Sequence, residues 1–313
     1  MNPAFSVIFL TTLSGAGQGL FLAIFGIEIA AALNLLVIEN TPNLFISGSL
    51  ISLVLTGLGL IASFFHLGHP ERAWRAAAMW RTSWLSREVI ALPLFMAAVF
   101  AYGGAHYFGL GATLILGAVA TVLCLALFIC TGMIYACIRF LQEWASPLTL
   151  VNYFLLGSAS GFTLATALAA FVEPGLIKPL AILAIVFTAM GLVMRVASLM
   201  RNSRIKPKSS LQTAIGVHHP RIVQKSQGFM GGSYNTREFF HGQTPLFLRS
   251  IKWIFLTFAF AVPLLLLSLG LSSVSAGLFS AVFIVQYAGL IAERWFFFAQ
   301  ANHPQNLYYQ TIS

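Results

Sequence analysis

The 313-residue chain contains no aspartate. Its acidic side chains are eight glutamates, set against 17 lysines and arginines, and charged residues make up 8% of the whole. Ordinary soluble domains carry about 25% charged residues. The shortage excludes a soluble nucleotide-binding enzyme, and a hydrophobic content of 58% excludes a disordered tail protein. A mean hydropathy of +0.87 is that of a chain mostly embedded in lipid. The net charge of +9 would suit nucleic acid. The basic residues, however, cluster at the ends of apolar runs, which is a membrane pattern, so no nucleic-acid partner is expected.

Cysteine is nearly as scarce. Cys124, Cys130 and Cys137 lie in one apolar run without a Cys-x-x-Cys pair. That excludes a secreted disulfide scaffold and leaves no basis for an iron–sulfur cluster or zinc site in this chain. The three read as small buried hydrophobes. Of the seven histidines (His66, His69, His106, His218, His219, His241 and His303), none sits at the centre of an apolar run. A membrane haem held by two histidines at matching depth is therefore not expected. The adjacent His218 and His219 have no carboxylate or thiol beside them, so no metal is expected there either. The first apolar run lacks a basic leader and continues past signal-peptide length, so it reads as a first membrane helix.

What the chain has in abundance is long apolar runs. Eight approach the ~20 residues needed to cross a bilayer: Phe5–Leu33, Leu44–Phe65, Val89–Tyr107, Leu110–Ile138, Leu148–Phe171, Pro179–Met200, Ile251–Leu269 and Ala276–Phe298. The fold expected is all-α, a polytopic membrane protein with eight transmembrane helices. It forms a single integral membrane domain over residues 1–313, with segments 66–88 and 201–250 outside the lipid. Taking the connections alternately, 16 of the 17 lysines and arginines fall on one side, and only Lys178 on the other. The positive-inside rule then places the N and C termini and both long segments in the cytoplasm, in a bacterial plasma membrane. The opposite connections are short and nearly bare, so chemistry and partners are expected on the basic face.

Two segments of that face are informative. The first runs from His66-Leu67-Gly68-His69-Pro70-Glu71-Arg72 to Trp84-Leu85-Ser86-Arg87-Glu88. Glu71–Met79 is expected to form a short interfacial helix, with Trp74 and Trp80 at headgroup depth. His66 and Glu88 sit where helices enter the apolar layer, and an ionisable group there is a functional candidate. A quinone fits this set. Its carbonyls need donors such as His or Arg, its reduction needs two protons that a carboxyl can relay, and its tail needs an apolar groove. Trp84, Ser86 and Arg87 are candidate lining residues, as are the intramembrane Arg195, Glu293 and Arg294. Gln18 and Glu28 are further intramembrane polar groups, Glu28 toward the bare face with an interfacial reading. Gly15 and Gly19 have the small-xxx-small spacing of close helix packing.

The second segment, 201–250, is a long connection rich in aromatics from Gly228 onward. Long loops of this kind are usually functional. Mixed arginine and aromatic side chains are favoured at interfaces. Arg75, Arg81, Arg221, Phe229, Tyr234, Arg237 and Phe239 are thus expected to dock a soluble partner.

The His66-Leu67-Gly68-His69-Pro70-Glu71-Arg72-Ala73 motif, followed by Ser86-Arg87-Glu88, resembles the membrane anchor subunits of the dimethyl sulfoxide reductase family across essentially the whole chain. Residues 228–242, reading Gly-Phe-Met-Gly-Gly-Ser-Tyr-Asn-Thr-Arg-Glu-Phe-Phe-His-Gly, resemble one branch. That branch is the membrane subunits of the cytoplasmic sulfite dehydrogenases of sulfur-oxidising bacteria. The resemblance implies a partnership with a molybdopterin catalytic subunit and an iron–sulfur electron-transfer subunit. The anchor would then exchange electrons with ubiquinone or menaquinone, with no haem or metal of its own and no catalytic residue for the sulfur substrate. His66, Gly68, Arg72 and Glu88 match the family's quinone-site residues. In the dimethyl sulfoxide reductases the soluble subunits usually face the periplasm. The cytoplasmic basic face favours the sulfite branch. The alternative within the class is an anchor of a quinol-oxidising S-oxide or N-oxide reductase. The alternative outside it is a secondary transporter, which expects ionisable groups near the midplane rather than at one interface.

Overall fold

A computed structural model of the chain describes residues 1–37, 41–226, 238–272 and 274–309. Among them are eight helices long and apolar enough to cross a membrane. They are α1 (Phe5–Ala32), α2 (Thr41–Phe64), α3 (Trp84–Tyr107), α4 (Thr113–Ala136), α5 (Pro147–Val172), α6 (Ile177–Asn202), α7 (Pro245–Gly270) and α8 (Ala276–Ala299). The interfacial helix expected over Glu71–Met79 is a 3-10 helix, Pro70–Met79, which packs on α3. Among the described residues of segment 201–250, a short helix, Leu211–Ile215, precedes α7.

The expected span Val89–Tyr107 begins earlier, at Trp84. Ser83 explains the difference: its Oγ accepts from the Ser86 backbone N–H at 3.3 Å and caps the helix. The polar Ser86-Arg87-Glu88 run is therefore helical, and Glu88 enters the bundle on the second turn.

Lipid offers no hydrophobic force to drive helices together, so they associate through close packing and hydrogen bonds. The centre of the bundle follows that rule. In α1 and α5 some 72% and 83% of the most apolar window is buried, against 33–39% in the other six, so these two form the axis. They cross at Gly15 and Gly19 against Gly157 and Gly161. A Cβ at Gly161 would overlap the backbone of Gly19, and one at Gly19 the backbone of Gly157. The remaining spans pack around this axis, α2 on α1, α6 on α5, α3 on α4 and α7 on α8.

Helix α7 is not regular. Thr257–Ala261 is a π-helical turn, followed by Pro263. Proline cannot donate to the carbonyl four residues earlier, which is that of Ala259. Within lipid such a carbonyl must find another donor. Gln286 of α8 supplies it, with Nε2 3.4 Å from the Ala259 oxygen and 3.0 Å from Thr188 Oγ1 on α6. Gly289, one turn on, lets α8 lie against this turn, since a Cβ there would strike the Phe258–Ala259 backbone.

Met1 and the residues that follow α8 lie together at the basic end of the bundle. The N-terminal nitrogen donates to the carbonyl of Ala301 at 2.7 Å, and the Asn2 amide to that of Glu238 at 2.9 Å. Asn306 donates to Phe239 O at 3.2 Å, and Phe239 stacks on His303 at 3.8 Å.

Candidate functional site

Glu88 is the candidate residue that the fold treats most distinctively. It is 8% exposed and accepts a 2.5 Å hydrogen bond from Thr131 Oγ1 on α4. Its side chain lines a cavity of ≈ 20 Å³ that reaches Gln18, midway along α1, and is also bordered by Tyr153 of α5 and Arg294 of α8. A carboxyl so placed faces the interior of the bundle.

One helical layer away lies a buried ion cluster. Arg195 of α6 pairs with Glu293 of α8 at 2.7 Å, with side chains 2% and 1% exposed. Arg294 Nη2 lies 3.8 Å from the other oxygen of Glu293, and its guanidinium sits 3.8 Å from the centre of the Tyr153 ring. Arg195 rests over Phe255 at 5.5 Å. Paired charges inside lipid are tolerated because each offsets the desolvation of the other, and cation–π contacts add to this. A second cavity, ≈ 10 Å³, is lined by this cluster and by Asn152, and it reaches Glu143 and Gln300 near the basic end. Tyr153 and Arg294 border both cavities.

The other candidates lie outside the bundle. His66, Gly68 and Arg72 lie beyond the end of α2, all three exposed. Desolvation of the ring pushes the His66 imidazole below the usual histidine range, which favours its uncharged form, with one ring N–H to donate. Arg72 Nε lies 3.7 Å from Glu71, which His69 also meets at 3.0 Å. A Cβ at Gly68 would meet nothing within 4 Å, so packing does not require glycine there. Phe64, Phe65, Trp74 and Trp80 present exposed aromatic faces around these residues. Trp84 is half-buried, and Arg87 stacks on it at 4.2 Å. Arg87 also donates to the carbonyls of Trp80 and Arg81 at 2.9 and 2.8 Å, tying the turn to the start of α3. Ser86 is buried at that start. Among the described residues no hydrogen bond or ion pair joins His66 to Glu88.

Of the docking candidates, Arg75 and Arg81 are exposed and lie over Trp74 and Trp80 at 5.5 and 5.4 Å. Arg221 is exposed, and Phe239 is half-buried against His303. Phe229, Tyr234 and Arg237 lie outside the described residues.

Thr131, Tyr153 and Asn152 carry no signal in the sequence, because Thr, Tyr and Asn within an apolar run are ordinary. Their place beside Glu88 and Arg294 appears only when α3, α4, α5 and α8 are assembled. The same holds for Glu28. It is buried at the opposite end of the bundle, 3.4 Å from His106, whose ring stacks on Phe45 at 4.4 Å. His106 belongs to the last turn of α3 and points inward rather than to a surface turn.

Comparison with known proteins agrees with this architecture. A family model described as "DMSO reductase anchor subunit (DmsC)" matches residues 1–300. The chain is similar to the C subunit of the sulfite dehydrogenase of Allochromatium vinosum, with 53% identity over 326 residues covering 100% of both chains.

Proposed function

The chain belongs to the DMSO reductase anchor subunit (DmsC) family, and from that premise we propose that it is the quinone-reactive anchor of a sulfite dehydrogenase whose soluble subunits face the cytoplasm. The observation that carries the reading is Glu88, a buried carboxyl one turn inside the basic end of the bundle. Support for the substrate comes from the name borne by its full-length relative. The basic face, with Arg75, Arg81 and Arg221 exposed, suits an iron–sulfur subunit that receives electrons from a molybdopterin subunit.

The residues fit a quinone head group at the membrane edge. A cavity of ≈ 20 Å³ cannot enclose the ring, since ligand pockets run from about 300 Å³. The exposed aromatics at the end of α2 and in the 3-10 helix would instead bound an open site at the interface. His66 and Arg72 would hold the carbonyl oxygens by donating hydrogen bonds, and Glu88, on the second turn of α3, would be the proton donor. A bound quinone supplies the two-electron, two-proton acceptor. His66, in its uncharged form, orients the oxygen, and Thr131 holds the Glu88 carboxyl at Oε1. Exposed Phe65 and Trp74 keep that edge apolar for the tail.

The test uses membranes carrying the intact complex, prepared as inverted and as right-side-out vesicles. Glu88→Gln should slow sulfite-driven quinone reduction by on the order of 100-fold, the scale of a lost proton-transfer group. Activity with a soluble electron acceptor should stay unchanged. His66→Ala should act in the same direction. A membrane-impermeant acceptor should work only in inverted vesicles. Quinone-linked turnover at the wild-type rate in both variants would refute the site, and activity confined to right-side-out vesicles would reverse the orientation.

A further inference from the structure

Glu88 has no direct outlet to water. It is buried, its visible partner is Thr131, and it faces an interior cavity rather than the aqueous edge. A carboxyl that gives up protons must be resupplied, so the interior must lead somewhere. The lining of the two cavities shows where. Cavity one holds the buried Ser14 Oγ and Gln18 Oε1, which have no hydrogen-bond partner among the described residues. Cavity two holds Asn152 Oδ1 and Arg195 Nη2, equally unpartnered. A buried polar atom without a partner costs about 1–3 kcal/mol. A polar space of ~10–15 Å³ or more accommodates one water, which satisfies two to four such groups. Both cavities are of that order, ≈ 20 and ≈ 10 Å³. They meet at Tyr153 and Arg294, and the second ends at Glu143 and Gln300, both half-buried at the basic end.

We propose that protons reach Glu88 through the inside of the bundle, along waters held in these two cavities, with the Tyr153 hydroxyl as the link between them. The proposal rests on the quinone-anchor reading and adds to it a route. Reduction of the ring takes two electrons, which the partner subunits deliver, and two protons. Each proton enters at the Glu143–Gln300 end, passes from water to water through cavity two, and arrives at Tyr153. The hydroxyl accepts one proton on its oxygen as it donates its own to water in cavity one. That water reprotonates the Glu88 carboxylate after the carboxyl has released its proton. Arg294, held by Glu293 at 3.8 Å and by the ring of Tyr153, is a positioning residue: its fixed charge orients water and carries no proton itself. Asn152, donating to Ser198 at 2.7 Å and leaving its carbonyl oxygen free, holds the water of cavity two.

Two variants leave the ion cluster intact. Tyr153→Phe keeps the ring under Arg294 and removes the link. Asn152→Leu keeps the branching at Cγ, fills space with methyl groups and removes the polar anchor for water. The first readout is independent of turnover. Brief X-ray radiolysis of the intact complex in water oxidises side chains next to internal water, and mass spectrometry locates them. Phe128 and Leu127, which border cavity one, should be labelled in the wild type and at least threefold less in Asn152→Leu. Absence of labelling in the wild type, or equal labelling in the variant, would overturn the route. The second readout is quinone reduction. Both variants should lower kcat about tenfold or more, with KM for the quinone and the rate with a soluble acceptor unchanged. Labelling as expected with an unaltered kcat would mean that the waters do not feed Glu88, and would also overturn the proposal. Failure of the underlying reading is distinguishable: it shows as full quinone activity in Glu88→Gln, whatever the labelling pattern.

Discussion

Glu293 holds two guanidiniums inside the bundle, Arg195 at 2.7 Å and Arg294 at 3.8 Å. Removing one member of a buried ion cluster leaves its partners charged and uncompensated, at a cost of roughly 3–5 kcal/mol. Glu293→Leu should therefore lower the melting temperature of the detergent-solubilised complex sharply. An exposed charge such as Arg75, replaced by Ala, should leave it nearly unchanged. Equal melting temperatures for the two variants would show that the cluster contributes little. The sequence announces Glu88, Arg195, Glu293 and Arg294 because charge inside an apolar run is rare and therefore conspicuous. It carries no sign of Thr131, Tyr153 or Asn152, whose chemistry comes from what stands opposite them on other helices. The pairing of Glu28 is hidden in the sequence for the same reason, since its partner His106 lies 78 positions away, on α3.

Among the elements, the α1–α5 axis depends on four glycines whose backbones touch. Gly161→Ala would push a methyl into Gly19. Overpacking of this kind costs typically about 1–3 kcal/mol, and more where backbone is the obstacle. Gly26→Ala, where the added carbon meets nothing within 4 Å, should be neutral or slightly stabilising, because alanine is the better helix former. Thermal melts of the two variants should differ in that direction, and a Gly161→Ala protein as stable as Gly26→Ala would exclude the close crossing. The eight spans are legible from length and hydropathy, and Gly15–Gly19 from its spacing. The π turn of α7 is not. It arises from Pro263 acting together with Gln286 on another helix. Periodicity within one segment does not register such a pairing. The early start of α3 escapes a hydropathy reading, which undervalues the polar first turn that Ser83 caps.

At the scale of the whole molecule, the charge partition along the sequence marks one face as basic, and the assembled bundle brings Met1, Ala301 and Glu238 together there. The polar interior opens from that same end and reaches as far as Gln18. Beyond it, Phe21, Phe25, Phe95 and Tyr102 close ring against ring, with centroids 5.5–6.0 Å apart and every ring buried, before the Glu28–His106 pair is reached. This aromatic layer is a dielectric. A charge crossing a potential of 100 mV changes its energy by about 2.3 kcal/mol, and here the buried rings stand between the cavity that ends at Gln18 and the Glu28–His106 pair. We therefore expect the anchor to be electrically silent. Vesicles containing the complex should hold an imposed potassium diffusion potential as long as protein-free vesicles do, and a faster decay would show that the layer conducts. Electrons would enter the lipid phase without charging the membrane, and any voltage drawn from them would be generated by whichever enzyme next oxidises the quinol.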